Sequence, residues 1–265
     1  SGSAYNDVWV AGEKGTVLHY DGLQWKVAAG VPLSGSLFPL HARAADDVAI
    51  ADMDSDRLAR WNGSAWTLQP KPQNLIARLF IVDPRTILTT TWAIAGGKGA
   101  VNQLQDGVWQ TIYQAQGRML NITMIDGEIW ASGLNGKLLH QQGEQWREEA
   151  IPSGTTAQFS AIWGSGKNNV WAAAPATCVH WNGSEWETKL DCNTPGTHDA
   201  LWGYRDAEVW VGAEGYVHYL DRRARQPTWR QVALERPISP EGLWGSGATE
   251  VWAVGANAAL LRYQP

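Results

Sequence analysis

Tryptophan returns in this chain at a nearly constant interval, and a fixed period of about forty residues confines a sequence to folds built from repeated supersecondary units. Two registers carry the period independently. One runs through Trp9, Ala49, Leu88, Trp130, Trp171, Trp210 and Trp252, with steps of 40, 39, 42, 41, 39 and 42 residues. The other runs through Trp25, Trp66, Trp109, Trp146, Trp186 and Trp229, with steps of 41, 43, 37, 40 and 43. Seventeen Trp and 28 Gly, against three Met and three Phe, describe aromatic anchors separated by tight turns. No stretch reads as a helix of any length.

Each unit opens on an apolar-Trp-Gly step, as in Ile162-Trp163-Gly164, Leu201-Trp202-Gly203 and Leu243-Trp244-Gly245. Seven residues after that Trp begins Val170-Trp171, Val209-Trp210 or Val251-Trp252. The second half of the unit is a hairpin. Tyr20-Asp21-Gly22, Trp61-Asn62-Gly63 and Trp181-Asn182-Gly183 place Asp-Gly or Asn-Gly between aromatic and β-branched runs, where the turn needs residues that accept positive φ. A unit is therefore four short strands, A to D. Four strands in about 41 residues is the length of one blade of a β-propeller. The expected fold is all-β, with seven blades rather than six or eight, forming a single domain over residues 1–265. The first blade starts just after its A strand and the last stops after its C strand at Leu261-Arg262-Tyr263, so both are incomplete.

Units two and three depart from the pattern. His41 and Phe80 stand in place of the A-strand Trp, and Ala49 and Leu88 in place of the B-strand Trp. Unit three also carries about six extra residues between B and C, across Thr90 to Gly97, and an inserted hairpin loop is a common carrier of function. B-to-C and D-to-A loops share one face of a propeller. On that face the sequence is least regular, at Asp52 to Asp56, Trp92, Lys98, His198, Asp199, Arg236 and Glu241. Irregularity on one face of a regular scaffold points to ligand binding. Trp92, outside the repeat register, is the indole expected to be available for contact.

The remaining chemistry-bearing residues have structural readings beside functional ones. His19, His140, His180 and His218 share one C-strand position with Arg60 and Arg262, a spacing of one blade that does not let them share a metal. His198, beside Asp199, stands outside that series. Asp52, Asp54 and Asp56 alternate as the first ligands of a calcium loop do, but the central Gly and the twelfth-position Glu of such a loop are missing and Arg57 adjoins them; calcium is the one cofactor the sequence suggests. Cys178 and Cys192 flank the Asn182-Gly183 turn and are expected to meet across the C–D hairpin as a disulfide. Ser160, Asp199 and Glu241 each precede an A-strand Trp by three residues, where a propeller has the mouth of its channel. No phosphate-binding Gly-x-x-x-x-Gly-Lys loop and no His-Glu-x-x-His is present.

Trp-Gly-Ser-Gly, then Val-Trp-Ala-Val-Gly, then an apolar strand ending in Asp/Asn-Gly-x-x-Trp resembles the repeat of secreted bacterial propellers of the myxobacterial type. The Asp/Asn-Gly-x-x-Trp part is also similar to the Asp-box turn of sialidase-like and photosystem-assembly propellers, although the Ser/Thr that opens an Asp box is absent. The resemblance implies an exported, secreted, periplasmic or surface propeller that binds a protein or other ligand, and it carries no catalytic residues over. A formal charge of -5 with scattered Lys and Arg excludes a phosphate-tracking basic stripe and hence nucleic acid. No apolar run reaches the length of a membrane span, and Ser1-Gly2-Ser3 opens no signal peptide. Two alternatives stand beside a binding propeller that is a monomeric domain of a larger protein: a lectin with similar sites in several blades, and a glycoside hydrolase or lyase acting at the channel mouth.

Overall fold

The computed structural model describes residues 1–72, 74–92, 98–152, 158–175, 177–189, 200–213, 215–234, 238–247, 250–255 and 259–263. The chain packs as two compact units, Ser1–Ile122 and Thr123–Pro265. Every element among the described residues is a β-strand.

In the first unit, the first sheet comprises β1 (Gly2–Ala4), β2 (Asp7–Ala11), β3 (Val17–Tyr20) and β4 (Trp25–Val27). Its A strand is thus present, cut to three residues. The second comprises β5 (Leu37–Ala44), β6 (Asp47–Asp52), β7 (Arg57–Trp61) and β8 (Trp66–Pro70). The third comprises β9 (Leu75–Asp83), β10 (Thr86–Trp92), β11 (Ala100–Gln105) and β12 (Val108–Gln114).

A fourth sheet runs β13 (Met119–Ile125), β14 (Glu128–Gly133), β15 (Leu138–Gln142), β16 (Gln145–Glu148), and the division between the units falls within β13. In the second unit follow β17 (Ala161–Gly166), β18 (Asn169–Ala174), β19 (Thr177–Trp181) and β20 (Trp186–Lys189), then β21 (Leu201–Tyr204), β22 (Glu208–Ala213), β23 (Tyr216–Asp221) and β24 (Trp229–Ala233). The seventh sheet has three strands among the described residues, β25 (Pro240–Gly247), β26 (Glu250–Gly255) and β27 (Ala259–Tyr263). Strand order follows chain order in every sheet, and the paired strands are antiparallel meanders. Seven such sheets are the blades of an all-β, seven-bladed propeller fold.

The B strands show why the sequence folds this way. Successive side chains of a strand point to opposite faces, and both faces of β6 and of β18 are covered by neighbouring sheets. On β6, Val48 and Ile50 join Trp9, Val17 and Leu37 in one cluster, while Ala49 and Ala51 join Ile76, Leu79 and Ile87 in another. On β18, Val170 and Ala172 pack with Trp130 and Leu138, whereas Trp171 and Ala173 pack with Val209 and Val211. All six residues of β6, β18 and β22 are accordingly buried. This is why these strands read as continuous apolar runs instead of alternating ones.

The two tryptophan registers meet between blades. Trp66 of β8 stands edge-on to Trp9 of β2 with ring centroids 6.1 Å apart, Trp186 of β20 to Trp130 of β14 at 6.0 Å, and Trp229 of β24 to Trp171 of β18 at 6.0 Å. A D-strand indole therefore docks on the B-strand indole of the preceding blade. Each buried indole covers about 150–250 Å² of apolar surface, on the order of 4–6 kcal/mol of transfer free energy at about 25 cal/mol/Å². Where unit two has Ala49 instead, Trp109 of β12 fills the space against the cluster that includes it.

Candidate functional site

Opposite each B-strand anchor lies one C-strand residue: His19 faces Trp9, Arg60 faces Ala49, His140 faces Trp130, His180 faces Trp171 and Arg262 faces Trp252. The ladder corrects the sixth unit. Tyr219, not His218, faces Trp210, and His218 pairs with Val211. The His-Tyr pair there imitates His19-Tyr20 but sits one residue out of register, and one step along a strand moves a side chain to the other face.

The imidazoles are structural. His19, His140 and His180 stack on their indoles at 4.0, 3.7 and 4.3 Å. Each also donates from Nε2 to a polar residue two positions before the anchor: Asp7 at 2.8 Å, Glu128 at 2.6 Å and Asn169 at 2.8 Å. The same position is Asp47, bonded to Arg60 at 2.8 Å, and Glu250, bonded to Arg262. Trp9 and Trp171 add their indole N–H to Asp7 and Asn169. Sequence reading missed this member of the cluster, although an acid or amide two residues before the anchor recurs in six of the seven units as Asp7, Asp47, Glu128, Asn169, Glu208 and Glu250. In the fifth blade the amide oxygen of Asn169 also accepts from Arg222 at 2.6 Å. Burial, with the nearby Arg222 and Lys189 cations, lowers the His180 pKa to about 4. Burial likewise lowers His41 to about 3, and its Nδ1 accepts the Ile81 amide at 3.1 Å.

The alternating aspartates do not converge as metal ligands. Asp52 is buried and its Oδ1 accepts the Asp54 amide at 2.9 Å; Asp54 accepts the Ser36 amide at 2.7 Å, which holds its carboxyl below the ordinary range; exposed Asp56 pairs with Arg57 at 3.2 Å. Lys71 closes the arrangement by donating to the Asp52 carbonyl at 2.6 Å. Among the described residues no group of three or more His, Cys, Asp or Glu is placed to hold a metal ion.

Cys178 is buried and disulfide-bonded. Its cross-strand neighbour is Lys189, because Trp181 pairs with Trp186 around the Asn182-Gly183 turn. The rung expected for Cys192 is therefore taken by Lys189, and Cys192 itself lies outside the described residues. So do His198, Asp199 and Arg236. Glu241 is exposed on β25 and Ser160 half-buried before β17; with Asp199 outside the described residues, the three are not seen together.

At the third blade the described residues include Trp92 and Lys98, and they bring Trp92 together with Arg118, a residue the sequence did not single out. Trp92 ends β10 and Lys98 precedes β11, so the insertion sits between them. Gly99 donates its N–H to the Gly117 carbonyl at 3.0 Å, and its own carbonyl accepts Ala115 N–H at 2.9 Å and Gln114 Nε2 at 2.8 Å. These bonds join the B-to-C loop of the third blade to the D-to-A connection that follows it. A Cβ at Gly99 would stand 2.3 Å from the Gly117 carbonyl oxygen and 2.7 Å from the Met119 nitrogen, so only glycine permits the approach. Arg118 follows Gly117 in that connection, and its guanidinium lies over the Trp92 ring 4.7 Å from its centroid; Lys98 precedes Gly99 in the chain. Lys98 and Arg118 are exposed and form no ion pair among the described residues, while Trp92 is half-buried with its indole N–H lacking an acceptor there.

Beside this junction opens a polar groove of ≈ 320 Å³ lined by Asn74, Asn102, Trp109, Thr111 and Gln114, among others. Asn102 and Thr111 bond to each other at 2.8 Å, and Trp109 donates to the Pro70 carbonyl at 2.8 Å, so the groove walls are fixed. Lys98 and Arg118, without ion pairs among the described residues, and the Trp92 ring thus lie on elements that adjoin a wall of amides. No pair of carboxylates or nucleophile with a base accompanies them among its members.

No protein-family model matches the sequence, and none of the curated proteins compared with it does. Solved structures are similar in fold. A structure described as YCF48 bound to D1 peptide is 16% identical with a TM-score of 0.76, covering 100% of this chain and 91% of that one. A streptogramin B lyase structure is 13% identical with a TM-score of 0.77, covering 99% and 94%. The WD40 β-propeller domain of Doa1 is 9% identical with a TM-score of 0.75, covering 98% and 89%. At these identities the likeness concerns the seven-bladed propeller fold.

Proposed function

We propose that this propeller is a non-catalytic binding domain that takes an acidic peptide segment of a partner protein on the loops around its third blade. The observation that carries the reading is Arg118 lying over Trp92, with exposed Lys98 next to Gly99, whose backbone bonds join the two connections: two cations without carboxylate partners among the described residues, in a chain of net charge -5. Opposite charges steer such a ligand in and fix its register, and the adjoining amides are suited to a peptide backbone. That one similar fold is described with a peptide bound supports the class of ligand. The disulfide at Cys178, together with the resemblance to secreted propellers, supports an oxidising compartment outside the cytosol.

The test is a peptide array of random sequence, probed with the native protein and with a Lys98→Glu/Arg118→Glu variant. Ligands enriched in Asp and Glu are expected, with binding weakened about tenfold or more in the variant. Enrichment of ligands without acidic residues, or ligands indifferent to the double charge reversal, would remove the proposal.

A further inference from the structure

The face of the third sheet that packs on the second changes character from one rung of its ladder to the next. Ile87 of β10, Leu104 of β11 and Trp109 of β12 stand opposite one another, and all three pack in the cluster that holds Ala49 and Leu58 of the second sheet. Two residues along each strand, on the same face, the rung is Thr89, Asn102 and Thr111, and the one after it is Thr91, Ala100 and Gln114. An apolar rung that packs is thus followed by a polar one.

Five other blades keep the Asn102 position apolar. Its equivalents, the C-strand residues one place before the one facing the B anchor, are Leu18, Ala59, Leu139, Val179 and Leu261, with His218 in the sixth blade. A buried amide at such a position lowers stability unless its bonds are made, and here they are made only in part. Asn102 is 6% exposed, donates from Nδ2 to Thr91 Oγ1 at 3.2 Å and accepts from Thr111 Oγ1 at 2.8 Å. An amide has two N–H groups and two lone pairs, so one of each is left over among the described residues. On the same rung the fully buried hydroxyl of Thr89 also lacks a partner there.

Asn102 and Thr111 line the groove of ≈ 320 Å³, a volume at the lower end of the range for small-molecule sites, about 300–1,000 Å³. Trp109 is half-buried on its wall with the ring fixed by the bond to Pro70, and Asn74 and Gln110 add exposed amides. No ionisable side chain is among its described lining residues.

We propose that this groove binds one neutral saccharide, with ring hydroxyls on Asn102 and Thr111 and an apolar C–H face against the indole of Trp109. A hydroxyl both donates and accepts, as the two spare positions of Asn102 require, and the indole covers C–H surface. A charged sugar would lose hydration in the groove without a counter-charge to replace it. Because the Asn102 rung belongs to the third blade, the stoichiometry is one per chain. The inference does not rest on the acidic-peptide reading: neither Lys98 nor Arg118 lines the groove, and a peptide on those loops needs only the rim amide of Gln114, which is bonded to Gly99.

The probe is an array of neutral mono- and disaccharides with uronic and sialic acids beside them, followed by isothermal titration of the strongest neutral ligand. Saturable binding with a stoichiometry near one is expected, unchanged in the Lys98→Glu/Arg118→Glu variant. Thr111→Val keeps the side-chain shape at an exposed position and removes the hydroxyl, and Asn102→Leu installs the residue found at Leu18 and Leu139. Each should weaken binding about tenfold, the scale of a buried hydrogen bond left unmade. Absence of saturable binding by any neutral sugar, more than one site per chain, native affinity in both groove variants, or a preference for acidic sugars that the Lys98→Glu/Arg118→Glu variant loses would each overturn the proposal.

Discussion

At the scale of single residues, indole, imidazole and a hydrogen-bond acceptor form one unit that recurs around the fold. Trp171, His180 and Asn169 show its consequence for pH. The His180 pKa lies near 4 in the folded chain against an ordinary value of 6.5, so between those values the unfolded chain binds a proton that the folded one does not. Stability therefore falls as pH drops from about 6.5 to 4, with His41 extending the decline toward 3. A His180→Gln variant, melted by circular dichroism across that range, should show a flatter decline in Tm than the native protein. An unchanged slope would mean that His180 is already protonated when folded. At the anchor itself, Trp171→Ala should cost about 3–5 kcal/mol in urea unfolding, since it leaves a cavity beside Trp229. The anchors were readable because a large aromatic recurring at a fixed interval marks a repeated packing position and little else. Arg118 was not, because it lies in an irregular connection and only the Gly99–Gly117 bond brings it to Trp92.

Among the described elements, the hairpin of β10 and β11 departs most from the repeat. This departure was legible as extra residues between Leu88 and Gln103, which face each other across the ladder. What the count of residues did not convey is how the start of β11 is tied down. Gly99 does this with backbone bonds on both sides, and a methyl group there collides with main-chain atoms that have no freedom to rotate away. Gly99→Ala should lower stability by about 1–3 kcal/mol in chemical denaturation, the range for forced overpacking, and should weaken ligand binding by displacing Gly117 and Met119, the residues on either side of Arg118. A variant as stable as the native chain would show that the junction relaxes. The hairpin at Asn182-Gly183 differs in kind. Its turn was recognised, but the register was set by Trp181 facing Trp186, which puts Lys189 opposite Cys178.

For the whole molecule, period and strand count were sufficient for fold class, because a four-strand unit recurring about every 41 residues has the length of one propeller blade. Function was less legible. The repeat marks what every blade shares, whereas a ligand is selected by what one blade has alone, and the proposal assigns that role to the cationic residues at Trp92. The fold is compatible with several activities, as the streptogramin B lyase and the Doa1 domain illustrate by their likeness. Charge is the property that separates binding of an acidic peptide from those other activities. The decisive quantity is the dissociation constant of an array-selected acidic peptide at about 50 and 500 mM salt, for the native protein and for Lys98→Glu/Arg118→Glu. Salt should weaken binding markedly in the native protein, and the variant should show both a weaker affinity and a shallower salt dependence. Equal affinities and equal salt dependence in the two proteins would contradict an acidic ligand held at Lys98 and Arg118.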